Sequence, residues 1–302
     1  MARGAAELTT AFETLVVERV GPVGWLVFNR PGALNSMDSK MFEELPLAWS
    51  ELDSDPAVKA IVNTGVGKSF STGLDMVQLS RDRDALREQS RRTRDADLNM
   101  TALHNGVWKP VIAAVNGVCA GGGLHFVADA DIVIASSNAV FTDPHVTVGQ
   151  ASAFEPIGLA ARMPFEPVMR MALAGRHERM SATRALELGM ISQIVDPPER
   201  LRPEAQELAE KIARNSPAAM RATKKALWAA LEMGLTDACR QGARHLISMW
   251  GHPDQAEGPL AFADKREPEW APPRASDRAT DPSTDNPIEQ SPIEQSPIEQ
   301  SL

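Results

Sequence analysis

"NGVCAGGGLHFVADADI" (116–132) sets three consecutive glycines, Gly121, Gly122 and Gly123, directly before Leu124 and His125. Glycine loses more conformational freedom on folding than any other residue, so a triplet needs a reason. On the N-terminal side, "KPVIAAVNG" (109–117) reads as a buried strand; on the C-terminal side the chain reads as a helix. Glycines between a strand end and a helix start let backbone N–H groups approach a ligand closely, in the field of the helix N-terminus.

Outward from this stretch, strands and helices alternate. "ETLVVERV" (13–20) and "VGWLVFNRP" (23–31) flank a Gly-Pro turn and predict a hairpin. A loosely helical pattern covers 38–54, a buried strand covers 58–65, and an Arg- and Asp-rich exposed helix is expected over 79–107. Residues 129–149 hold two further strands, and helices are predicted over 165–174, 181–189, 203–214, 218–233 and 235–249. The fold class is α/β, with an α-helical C-terminal part. Three segments are expected: a core over 11–200, a helical part over 201–270, and a Pro-rich tail over 271–302. The tail carries PIEQ three times, at 287–290, 292–295 and 297–300, and too little apolar surface to offset ordering.

Composition narrows the function. The 302 residues are 43% hydrophobic and 24% charged, with net charge −9. Nucleic acid is not an expected partner, because phosphate binding needs clustered cations. Cys119 and Cys239 lie far apart and match no metal spacing, as expected of a reduced, cytoplasmic protein. "MARGAAELTTAFE" offers no apolar stretch for a signal peptide, and no apolar run is long enough to span a membrane.

Two uses of the glycines compete. A phosphate loop fails: "TGVGKS" (64–69) would need glycine where Val62 stands, and the triplet lacks a following Lys and Ser or Thr. An oxyanion hole fits. A second N–H donor is then needed, and "SFSTGLDM" (69–76) supplies another strand-to-loop glycine, Gly73, followed by Leu74.

"GKSFSTGLDM" (67–76) followed by "PVIAAVNGVCAGGGLHFVADADIVIAS" (110–136) resembles the enoyl-CoA hydratase/isomerase (crotonase) superfamily. The resemblance extends over about residues 11 to 270, through "VGWLVFNRPGALNSMD" (23–38), "AVFTDPHVTVG" (139–149), "LAGRHERMSATRALELGMISQIV" (173–195), "SPAAMRATKKAL" (216–227) and "AFADKREPEW" (261–270). It implies a ββα spiral core that binds an acyl-CoA thioester, with the thioester oxygen between the N–H groups of Leu74 and Gly122. It implies substrate and CoA contacts at Arg30, Ala33, Leu34, Lys68, Phe70, Thr72, Asp75 and Gly121. Phe262 and Lys265 are implied to reach the CoA of a neighbouring subunit in a homotrimer or dimer of trimers. Coenzyme A enters as part of the substrate, and no separate cofactor is implied.

The chain departs from the family where hydratases carry two catalytic glutamates. Those positions match His125 and, in "FTDPH" (141–145), His145. The pocket-wall glycines are replaced around Phe154, Glu155 and Pro156. Read as functional, the two imidazoles form an acid–base pair, one neutral and one protonated near neutral pH. Glu155 is expected to orient His145, with Asp143 as the other candidate carboxylate. His104, His177, His245 and His252 have no such context and read as structural or exposed. No metal is expected, since two histidines without a third ligand make a weak site. The reading is a hydratase-like lyase. Alternatives are a C–C hydrolase of β-dicarbonyl CoA esters, a double-bond isomerase, and a non-catalytic acyl-CoA-binding paralogue.

Overall fold

The computed structural model describes residues 6–7, 11–82, 84–85, 87–88, 91 and 98–272. The predicted hairpin forms between β2 (Leu15–Val20) and β3 (Val23–Phe28), with the two-residue strand β1 (Ala6–Glu7) on its outer edge. Gly21 makes the turn with φ +60°, a left-handed conformation that glycine adopts without steric cost. β4 (Ala60–Gly65), β6 (Val111–Val115), β8 (Ile132–Ser136) and β11 (Gln193–Val195) extend the sheet in parallel. Among the described residues its order is β1-β2-β3-β4-β6-β8-β11.

Every position of β3 is buried, because the sheet is covered on both faces. Leu26 and Phe28 enter the main core with Met41, Leu45, Trp49 and Leu52 of α1 (Ser39–Ser54). Val23, Trp25 and Val27 face the other way, onto Leu201, Ala205 and Ala209 of α7 (Leu201–Ala213). The period-2 alternation of a strand divides the apolar residues between two layers.

A second, smaller sheet has the order β10-β9-β7-β5, built from β5 (Ser69–Ser71), β7 (Val118–Ala120), β9 (Val140–Thr142) and β10 (Met180–Ser181). β5, β7 and β9 run parallel, so their C-terminal ends lie along one edge. Short helices follow: α2 (Met76–Arg81) after β5, α3 (His125–Ala128) after β7, and α4 (Phe154–Ala160) beyond β9.

Helices α5 (Phe165–Ala174), α6 (Ala182–Glu187), α8 (Pro217–Ala230) and α9 (Leu235–Ser248) match the remaining helical predictions closely. α10 (Pro253–Asp264) was not predicted; it starts from a His252 cap and contains Pro259. The helix expected over 79–107 does not continue to its end, because residues 102–106 are turns; residues 83, 86, 89–90 and 92–97 of it lie outside the described residues. Residues up to Ala271 form one compact unit, so the segment from 201 is not separate: α7 is a layer of the core. The tail expected over 271–302 lies outside the described residues, apart from Ala271 and Pro272. No helix among those residues is long and apolar enough to cross a membrane. α9 has no buried residue and exposes Leu235, Leu246 and Ile247.

Candidate active site

The parallel edge gathers the two glycine loops. β5 is followed by Thr72, Gly73 and Leu74, and β7 by a 3-10 turn, Gly121–Leu124, that leads into α3. Gly73 has φ +81°, and a Cβ there would lie 2.6 Å from the Gly122 nitrogen. A Cβ on Gly122 would sit 3.8 Å from the Leu74 nitrogen and 2.9 Å from Cε of Met37. Removing side chains at both positions therefore brings the Leu74 and Gly122 backbones together. The Leu74 N–H has no acceptor among the described residues. The Gly122 N–H stands in the first turn of a helix, where the ladder leaves donors unpaired.

The Leu74 loop is clamped from both sides. Met37 donates its N–H to the Gly73 carbonyl (2.7 Å) and accepts from the Asp75 N–H (2.9 Å). Arg30 forms ion pairs with Asp75 and Asp38, both at 3.0 Å, and donates to the Ser36 carbonyl at 2.5 Å. Burial pushes the Asp75 carboxyl up, but bonds from the Gln78 N–H and Arg30 hold it below its ordinary range. Asp38 and Asp75 also cap α1 and α2 through their side chains, so one guanidinium ties two helix starts to the loop.

Beside this clamp lies a cavity of about 550 Å³ lined by Ala33, Leu34, Ser36 and Asp75, among others. The structure thus brings Arg30, Ala33, Leu34, Thr72 and Asp75 together; Thr72 Oγ1 donates to the Leu34 carbonyl. Lys68 is exposed. Phe70 is corrected: its ring is fully buried, edge-on to Phe28 and close to Phe126, so its side chain packs the core and is not available to a ligand. Phe262 (88% exposed) and Lys265, at the end of α10, do not line that cavity.

The titratable half of the site is a row of four side chains. Asp143, fully buried, lies 2.6 Å from His145 Nδ1 through Oδ1, and accepts from Ser152 Oγ at 2.5 Å through Oδ2. His145 Nε2 faces Glu155 Oε1 at 3.6 Å, and the same oxygen lies 3.2 Å from His125 Nε2. His125 is 5% exposed and Glu155 6%. A Cβ on Gly121 (φ +50°) would lie 3.6 Å from Cε1 of His145, which puts this row beside the glycine turn. The expected role of Glu155 is corrected: Asp143 orients His145, and Glu155 is closer to His125, bridging the two imidazoles.

Burial alone would lower the His145 pKa. The Asp143 bond and the charges of Glu155 and Asp143 outweigh it, so the imidazolium is favoured. Burial likewise pushes Glu155 and Asp143 up, yet their histidine partners bring both below the usual carboxylate range. His145 is held between two carboxylates, which favour its charged form.

Met37, Ser152 and His104 contribute to this region without a sequence signal. His104 packs edge-on to His125, their ring centroids 5.9 Å apart.

A sequence model of the enoyl-CoA hydratase/isomerase family matches residues 18–273. The (E)-benzylidenesuccinyl-CoA hydratase of Thauera aromatica is 34% identical over 252 residues, covering 82% of this chain and 94% of that protein. The mitochondrial enoyl-CoA hydratase of Pongo abelii is 34% identical over 263 residues, 84% of this chain and 87% of that protein. The crystal structure of an enoyl-CoA hydratase/isomerase from Mycobacterium paratuberculosis superposes with a TM-score of 0.78 at 38% identity, covering 86% of this chain and 99% of that one. The chain belongs to the enoyl-CoA hydratase/isomerase (crotonase) superfamily. Its members act on acyl-CoA thioesters, and this chain is an enzyme of that family.

Proposed function

We propose that the protein adds water across the double bond of an α,β-unsaturated acyl-CoA, with imidazoles in place of the two carboxylates. The observation that carries this reading is the sharing of Glu155 Oε1 by His125 and His145 beside two glycine-cleared N–H groups. The CoA portion occupies the cavity lined by Ala33, Leu34 and Asp75. The thioester oxygen accepts from the Leu74 and Gly122 N–H groups, which stabilise the enolate by roughly 3 kcal/mol each. His125, paired with Glu155, holds the water and takes its proton. The water oxygen bonds to the β-carbon, and the double-bond electron pair moves onto the thioester as the enolate. His145 Nε2 then gives its proton to the α-carbon. Glu155 passes the proton taken by His125 back to His145, so hydration consumes one water and releases no net proton.

The Asp143–His145 couple also favours a second reading. A buried aspartate that fixes a histidine tautomer is the arrangement by which hydrolases activate water. On a β-dicarbonyl CoA ester it would direct water at the ketone and cleave the C–C bond, with the same N–H pair holding the enolate. The exposed apolar face of α9 supports assembly as a homotrimer or dimer of trimers.

Hydration of crotonyl-CoA by the wild type and His125→Ala, measured from pH 5 to 9, tests the first reading. A rate lost in the variant supports it. Retained CoA-ester binding without hydration, together with cleavage of a β-ketoacyl-CoA, would transfer the site to the second. Binding without either reaction would leave a non-catalytic acyl-CoA binder.

A further inference from the structure

A second polar group meets the row at His125. His104 Nε2 lies 3.4 Å from Oδ2 of Asp129, the residue that closes α3 by donating its N–H to the His125 carbonyl. The hydroxyl of Thr101, itself buried, donates to the same Asp129 oxygen at 2.7 Å. The Thr101 N–H donates to His104 Nδ1 at 3.4 Å, so Nδ1 is an acceptor and Nε2 carries the hydrogen shared with Asp129. One nitrogen of His104, one of His125 and one Asp129 oxygen all lie within 4.8 Å of one another. A proton needs only a donor, an acceptor and a gap that one water spans.

Exposure rises along the same path. The side chains of His125 and Glu155 are 6% and 8% exposed, whereas His104 is at 25%. Burial holds the His104 pKa below its ordinary value; Asp129 opposes this, and the neighbouring His125 adds to it whenever it is charged. The neutral form of His104 is therefore favoured.

We infer that His104 and Asp129 form the port through which the buried His125–Glu155 end of the row exchanges protons with solvent while an acyl-CoA occupies the site. The inference rests on the acyl-CoA reading above. His104 acts only through His125 and is a positioning residue. A proton from water adds to Nδ1, displacing the long 3.4 Å bond from the Thr101 N–H, while the Nε2 proton passes to Asp129 and from there toward His125; the reverse run carries one out. Each hop breaks one N–H or O–H bond and forms another, and bulk water closes the count. Hydration itself has no need of the port, since Glu155 resets the two imidazoles internally. Replacement of the α-hydrogen of a bound ester by solvent deuterium does need it.

The test compares two rates in the full-length protein at pH 7: hydration of crotonyl-CoA, and deuterium entry at the α-carbon of butyryl-CoA in D₂O. In His104→Phe, exchange is expected to fall about tenfold further than hydration, with KM for crotonyl-CoA unchanged, and added imidazole should restore it. His104→Gln serves the same comparison should the Phe variant melt early. Equal losses in both rates, exchange that imidazole fails to restore, or no loss of exchange would overturn the port alone. A wild type inactive in hydration and exchange would overturn the acyl-CoA reading, and the port with it.

Discussion

The two halves of the site are made from different material. The Leu74–Gly122 half consists of backbone atoms, and its chemistry depends on what is missing: a Cβ at Gly73 would strike the Gly122 nitrogen at 2.6 Å. The Asp143–His145–Glu155–His125 half consists of side chains from three elements, and its chemistry depends on which proton sits where. The first half tolerates almost no change of shape. The second tolerates shape changes but not changes of charge.

That contrast sets the sizes of the expected effects. Gly73→Ala meets both a left-handed φ of +81° and a backbone atom, so hydration should fall about 1000-fold, at the top of the range for an oxyanion donor. Gly122→Ala meets the flexible end of Met37 at 2.9 Å, and its loss should be several-fold smaller. Equal kcat losses in the two variants would break the idea that a rigid backbone governs this half. His145→Ala removes the proton donor and should lower kcat by about 100-fold or more, within the usual span for a general acid, with CoA-ester affinity retained.

Asp143→Asn sharpens the second half through pH. Asp143 raises the His145 pKa, so the fall in activity at high pH should move to lower pH in the variant. Stability follows the same linkage. The raised His145 pKa contributes stability that is full below its unfolded value of about 6.5 and lost as pH rises through the folded one. The lowered Asp143 pKa contributes stability that is present above about 3.9 and lost as pH falls. The melting-temperature advantage of the wild type over Asp143→Asn should therefore peak between about pH 4 and 6.5; an advantage that grows steadily toward pH 9 would contradict the ion pair.

Glu155→Gln keeps the shape and removes the bridging charge. A kcat loss of about 100-fold at unchanged KM is expected, the lower end of the range for assistance in proton transfer. The smallest effect belongs to Arg30→Ala: partly exposed ion pairs are worth up to about 1 kcal/mol each, and thermal denaturation should register a modest loss.

Legibility in the sequence divides along the same line. The glycine half could be read directly, because a cleared Cβ at a strand end is a local, steric requirement written as Gly121-Gly122-Gly123 and Gly73. The larger sheet was equally open, since β3 reads VGWLVF and β4 opens on the apolar run Ala60-Ile61-Val62 and closes on a glycine. β5, β7, β10 and β11 have two or three residues each, too few to show a period. The partners of the histidines were harder. Asp143 is two residues from His145 and could be weighed as its orienter. Nothing local distinguished it from Glu155, whose closer partner is set by how α4 approaches α3. His104 stands 21 residues before His125, and only the packing of its turn against α3 reveals the contact. Phe70 follows the same logic: a residue next to a ligand-binding loop can still turn its ring into the core.

The short contact between Asp143 and His145 has a practical consequence. A ring N–H held 2.6 Å from a buried carboxylate exchanges slowly with water and resonates far downfield of the amide envelope. The chain contains only six histidines, so that signal can be assigned with few variants. The protein thus carries its own spectroscopic reporter, through which the arrival of a CoA ester can be followed in solution without a label.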